Sequence, residues 1–155
     1  MPSARDVAKR DLLSALREAF VTPIEPEDLF ALSRGIDRIL NYVSDLVDES
    51  EAMASPPDEG IATMAGLLSD ALRHLDDALS TLGTDGDHAT ASADAAIAAQ
   101  HQLETACYAG MVGLLGVEDR TERITRRELY RRFSRLGEAV VDVAERIVYA
   151  VVKQS

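Results

Sequence analysis

The chain has little of what disulfide-stapled or sheet-forming proteins contain. Its 155 residues include no Trp, three Phe and one cysteine, Cys107. A single cysteine excludes an intrachain disulfide and favours a reducing compartment. Aromatic residues make up only 5% of the chain, whereas β-sandwich strands are rich in aromatic and β-branched side chains. The composition therefore favours helices packed through Leu, Ala and Val.

Positive charge and long apolar runs are scarce as well. The 16 Lys and Arg residues are outnumbered by 27 Asp and Glu, which gives a net charge of −11. Binding to nucleic acid depends on neutralising phosphates with Lys and Arg, so we expect no nucleic-acid partner. The start, MPSARDVAKR, lacks the apolar core of a signal peptide, and no run is long enough to span a bilayer. We expect a cytoplasmic protein without direct membrane insertion.

Apolar residues recur three or four positions apart along most of the chain, which predicts amphipathic helices. Five helices are expected, at about residues 4–20, 26–51, 61–82, 89–115 and 125–153. Thr125 and Glu128 have the spacing of a capping box for the fifth helix. The fourth helix has two apolar stripes and is predicted to be the most enclosed, with Cys107 buried in it. The fold prediction is all-α, an antiparallel bundle in a single domain spanning residues 1–155.

The second and fifth helices have similar polar margins beside their apolar seams. In each helix three oxygen-bearing side chains are spaced i, i+4 and i+8: Ser33, Asp37 and Asn41 in the second, and Ser134, Glu138 and Asp142 in the fifth. This spacing places them along one edge of each helix. The two helices are interpreted as internal copies, with Asp37 and Glu138 in equivalent places.

Two segments also carry a family resemblance. FVTPIEPEDLFAL (20–32) and RRELYRRFSRLGEAVVDVAERIVYAVVK (126–153) resemble the PhoU-like family, and within it the accessory proteins of Pit-type inorganic phosphate transporters. The resemblance covers the chain from about Asp6 onward. It implies a helical bundle, non-catalytic regulation of phosphate transport, and metal clusters held by Glu/Asp-x-x-x-Asp motifs. Only five helices are counted where the family has six, so one helix is expected to be missing.

The acidic margins also suggest a site for iron or another divalent metal ion. Glu138 and Asp142, at i and i+4, project to one side, and His101 and Glu104 have the i, i+3 spacing found in carboxylate-bridged bundles. The candidate metal ligands are Asp37, Asn41, Asp45, His101, Glu104, Glu138 and Asp142. The alternative is that these carboxylates are solvated and paired with nearby arginines, and that His101 is a core residue.

The segment RTERITRRELYRR (120–132) concentrates arginine at the start of the fifth helix. Positive charge in a first helical turn opposes the helix dipole, which favours a contact surface over a simple helix start. Arg126, Arg127, Arg131 and Arg132 are expected to dock on an acidic loop of a transporter or to bind phosphate. The alternative is a charge-balanced helix start.

Together these observations favour a non-catalytic protein that binds a Pit-type transporter at the inner face of the membrane. A bundle short of one helix exposes apolar surface, so a homo-oligomer is also expected. Two alternatives remain open at this point. One is a carboxylate-bridged metal-binding bundle with redox or storage activity, and the other is a purely structural bundle that forms oligomers.

Overall fold

The structure, a computed structural model, describes residues 3–19, 24–54 and 58–154. These residues form five α-helices and a short 3₁₀ turn, and no strand occurs among them. The helices are α1 (Ala4–Ala19), α2 (Pro26–Ala52), α3 (Glu59–Thr81), α4 (Gly86–Gly113) and α5 (Arg120–Gln154), with the 3₁₀ turn at Leu114–Gly116. The all-α prediction is confirmed. Phe20, the predicted end of the first helix, lies outside the described residues.

Helix α5 is the centre of the bundle. Helices α3, α4 and α5 pack against one another, α2 packs on the free side of α5, and α1 lies across α2 and α3. The prediction that α4 is the most enclosed helix is wrong. Tyr108 and Leu115, from its second apolar stripe, are 74% and 86% exposed, whereas α5 has three helical neighbours. None of the described helices has the length and apolar character needed to cross a membrane.

Aspartates cap three of the helices. Asp58 accepts a hydrogen bond from the backbone N–H of Ile61, and Asp85 accepts one from that of His88, at the starts of α3 and α4. Asp119 accepts one from the N–H of Glu122 at 3.1 Å. Helix α5 therefore begins five residues before the predicted capping box, because Asp119 satisfies a free N–H of its first turn.

The core contains the apolar seams that the sequence predicts. On α2 the seam residues Leu29, Leu32, Ile36, Ile39 and Leu46 are buried, and on α4 Cys107 is 2% exposed. Helices α2 and α5 approach closely at Gly35, where a Cβ atom would lie 2.5 Å from Cγ2 of Val143. Glycine permits this close approach because it has no side chain.

The two proposed copies, α2 and α5, are antiparallel neighbours. Asp28 pairs with Arg146 near one end and Glu49 pairs with Arg132 near the other. This register places Asp37 at about the level of Asp142, and Asn41 at about the level of Glu138. A local twofold axis that relates α2 to α5 requires this arrangement.

The surroundings of the two copies nevertheless differ. In the two copies Ile24 corresponds to Ile124 and Phe30 to Tyr130. Ile24 and Phe30 are 7% and 64% exposed, whereas Ile124 and Tyr130 are 56% and 3% exposed. Tyr130 is buried because it lies beside Gly60 of α3 and Gly110 of α4. Phe30 is exposed on α2, which within the described residues contacts only α5 and α1. Equivalence of the two copies is therefore wrong at the starts of these helices.

Candidate functional site

The arginines at the start of α5 fall into two sets, and the first set pairs within the chain. Arg126 Nε lies 3.3 Å from Oδ2 of Asp58, and Arg126 also pairs with Glu122. Arg132 pairs with Glu49 at the end of α2. These two arginines, both predicted to bind a partner, instead connect α5 to the neighbouring elements.

The second set is free of such pairing. Arg127 and Arg131 are exposed, and in the part of the chain that the structure describes neither has an ion-pair partner. Arg135, one helical turn further on, is also exposed and without an ion pair in the same range. Because i, i+4 and i+8 positions lie on one side of a helix, the three form a continuous row. We call Arg127, Arg131 and Arg135 the arginine stripe.

Exposed apolar side chains lie at the same end of the bundle. Helices α4 and α5 run antiparallel, since Ser134 Oγ donates to Glu104 Oε2 at 3.0 Å and Gly110 lies against Tyr130. The end of α4 is therefore beside the start of α5. The large apolar residues exposed there are Tyr108, Val112, Leu115 and Ile124, at 74%, 53%, 86% and 56%. These four residues and the arginine stripe are called the docking face.

The docking face lies over a fixed framework. Tyr130 is 3% exposed, and its hydroxyl donates to Oδ2 of Asp58 at 3.0 Å. Burial, and then the hydrogen bond to Asp58, raise the pKa of Tyr130. The phenol therefore stays protonated and keeps donating at neutral pH. Sequence reasoning missed this contact; only the position of Asp58 ahead of a helical segment could have indicated its capping role.

The predicted metal ligands of α2 contact α1 or solvent. Asp37 Oδ1 lies 3.6 Å from Nζ of Lys9, and Asn41 Oδ1 accepts a hydrogen bond from Arg5 at 2.8 Å. Asp45 is exposed and lines a shallow surface cavity of about 620 Å³. The polar margin of α2 is therefore the edge along which α1 docks.

The predicted ligands of α4 and α5 are spread along the exterior. His101 and Glu138 are exposed, Glu104 accepts the hydrogen bond from Ser134, and Asp142 Oδ2 lies 3.9 Å from Nη1 of Arg38. Within residues 3–19, 24–54 and 58–154, no group of three or more His, Cys, Asp or Glu side chains is placed to hold a metal ion. Metal binding stays a prediction.

Cys107 has the surroundings of a packing residue. Burial, and then the negative charge of Glu104, raise the pKa of its thiol to about 12. A thiol with such a pKa is almost entirely protonated at neutral pH and is a poor nucleophile.

Comparison with known proteins gives no match: no family model, no curated protein and no solved structure resembles the chain closely enough to be recognised. The PhoU-like resemblance is thus carried by the two sequence segments alone.

Proposed function

We propose that this chain is a non-catalytic accessory protein of a Pit-type inorganic phosphate transporter, and that the docking face binds an acidic segment of that transporter. The single observation that carries the binding surface is the arginine stripe. Three arginines on successive turns of α5 have no carboxylate partner within the described residues, in a chain of net charge −11. Phosphate transport enters the proposal through the PhoU-like resemblance.

The chemistry of the docking face fits a protein partner. Arginine forms bidentate hydrogen bonds with carboxylates and is enriched at interfaces, as is tyrosine. Tyr108, Val112, Leu115 and Ile124 offer apolar surface beside this charge, and their burial would add to the affinity. The interaction places the protein at the inner face of the membrane through its partner.

The experiment is co-purification with a Pit-type transporter from the same organism. Arg127→Glu/Arg131→Glu is expected to abolish capture of the transporter, because both side chains are exposed and belong to the arginine stripe. The matched control is Arg10→Glu/Arg34→Glu, which changes two exposed arginines on α1 and α2 and gives the same net charge. This control is expected to capture the transporter as the wild type does.

Two results would contradict the proposal. One is equal capture by both double variants, which would remove the arginine stripe from the interface. The other is binding of the protein to anionic vesicles that contain no transporter, with the same dependence on Arg127 and Arg131, since this would assign the docking face to lipid headgroups.

A further inference from the structure

A second surface, independent of the docking face, is the groove between α2 and α3. Within the described residues these two helices do not contact each other, and α5 forms the floor between them with Leu129 and Phe133. Helix α1 covers one half of the groove, where Ala8 and Leu12 face Ile36 and Leu75 across a cavity of about 340 Å³. The other half is open, is lined by side chains such as Val47, Ile61 and Ala65, and has a volume of about 510 Å³.

The manner in which α1 binds shows what the groove accepts. Leu12 of α1 is half-buried and packs against the core, whereas Val7 and Leu13 are 42% and 38% exposed. Two cations on the flank of α1 reach the margin of α2. Arg5 donates to Asn41 at 2.8 Å and to Ser44 at 3.5 Å, and Lys9 pairs with Asp37. Helix α1 therefore runs antiparallel to α2, and its first turn lies at about the level of Ser44.

The same margin continues past the first turn of α1. Asp37, Asn41, Ser44, Asp48 and Glu51 follow one another at spacings of three or four residues, along one side of α2. Asp48 and Glu51 are exposed, and within the described ranges neither carboxylate has an ion-pair partner. The open half thus repeats the chemistry of the occupied half, with the cations absent.

We propose that the open half of the groove binds an amphipathic helix of a partner protein that carries Lys or Arg on the flank facing α2. Two observations favour this occupant: continuity with the α1 interface, and the carboxylate of Glu51, which lines the open half and has no ion-pair partner among the described residues. The distance from Val43 to Glu51 corresponds to about 12 Å along a helix, or about two turns. An apolar side chain on each turn would lie over Leu68 and Phe133.

The probe for the experiment is a fluorescent peptide with the sequence of residues 3–19, because Leu12 of this segment packs against the core and Arg5 and Lys9 contact α2. We expect saturable binding to the full chain with one peptide per chain. Ala65→Glu, an exposed position in the open half, is expected to weaken binding about tenfold, because it places a carboxylate against the apolar face of the peptide. The matched control is Ala98→Glu, the same change at an exposed position on α4, which is expected to leave binding unchanged.

A second peptide with Arg5→Glu and Lys9→Glu tests the role of charge. It is expected to bind about tenfold more weakly, since its carboxylates would face Asp48 and Glu51. Absence of saturable binding, equal binding of the two peptides, or equal effects of Ala65→Glu and Ala98→Glu would each overturn the proposal. If the peptide only displaced α1, Ala65→Glu would have no effect.

Light scattering of the chain without peptide tests whether a second copy of the chain, and not a partner protein, occupies the open half of the groove. A dimer that Ala65→Glu dissociates would assign the open half to a second copy of the chain, in line with the expected homo-oligomer, and would overturn the partner-helix proposal.

Discussion

Asp28, in the first turn of α2, is only 1% exposed. Its carboxylate lies 2.8 Å from Nη2 of Arg146 and 3.0 Å from Nζ of Lys153, both near the end of α5. Hydrogen bonds to Glu25 and then to Asp28 raise the pKa of Lys153, so the lysine stays charged at neutral pH. This buried ion pair connects the start of α2 to the last turns of the central helix.

Replacement of Asp28 tests how strongly this connection stabilises the bundle. Asp28→Asn is expected to lower the free energy of unfolding by about 2 kcal/mol, because it leaves Arg146 and Lys153 without their buried carboxylate. Urea denaturation gives the measurement. Glu27→Gln removes the same charge from an exposed position in the same turn and is expected to change stability by less than about 0.5 kcal/mol. Equal effects of the two variants would contradict the role given to Asp28.

Cys107 gives a second test at the scale of one residue. Because burial raises the pKa of its thiol to about 12, we expect an aromatic disulfide reagent to leave it unmodified in the folded protein at pH 7. In urea the same thiol becomes accessible and recovers an ordinary pKa, so it should react fully. Rapid modification of the folded protein would show that Cys107 is accessible, and would contradict its place in the core.

The features of the helices that the sequence predicted best are those that depend on the spacing of apolar residues. The seams of α2 and α3 are buried because their Leu and Ile residues recur on one face. The same reasoning failed for α4, whose second stripe, including Tyr108 and Leu115, is exposed. Spacing indicates which residues share a face, but only the packing of neighbouring helices decides whether that face is covered.

The docking face shows a similar limit. The cluster of arginines predicted a basic surface, but the sequence alone does not show which of these arginines pair with carboxylates elsewhere in the chain. The difference arises from long-range partners, Asp58 for Arg126 and Glu49 for Arg132. Arg135 was not among the predicted residues, and it joins the stripe because it is exposed on the same side of α5.

The docking of α1 is expected to depend on pH through Asp76. Burial, then Asp77, then Asp11 on α1, raise the pKa of the Asp76 carboxyl above its ordinary value of 3.8. A raised pKa means that the folded state favours the protonated form. The free-energy cost of ionising Asp76 in the folded state is therefore present above its raised pKa. This cost is relieved as the pH falls towards the ordinary pKa of an aspartate.

Asp11→Asn removes the carboxylate of α1 from this pair. We expect it to stabilise the docked α1 by about 0.5 kcal/mol near pH 7, the size usual for exposed charge pairs. Hydrogen exchange of the α1 amides measures this effect. The variant is expected to exchange more slowly than the wild type at pH 7, and its protection is expected to change less than that of the wild type between pH 7 and pH 4.5. Faster exchange in Asp11→Asn, or the same pH dependence as the wild type, would show that Asp11 and Asp76 do not oppose docking.

For the whole molecule, the distribution of charge matters more than its sum. The chain has a net charge of −11, and the exposed carboxylate of Glu51 lines the open groove. The arginine stripe is a local exception at the opposite side of the bundle, on the free face of α5. An acidic partner would therefore be repelled by most of the surface and attracted to the docking face, which orients the encounter.

The most direct test of this account compares two arginines that are three residues apart. The measurement is the affinity of the purified protein for a Pit-type transporter in lipid nanodiscs, for the variants Arg135→Ala and Arg132→Ala. Arg135→Ala is expected to weaken binding about tenfold with unchanged protein stability, as for an exposed interface arginine. Arg132→Ala, which breaks the pair with Glu49, is expected to lower stability and to bind normally while folded. The reverse order of affinities, or no binding by the wild-type protein, would contradict the proposed docking face.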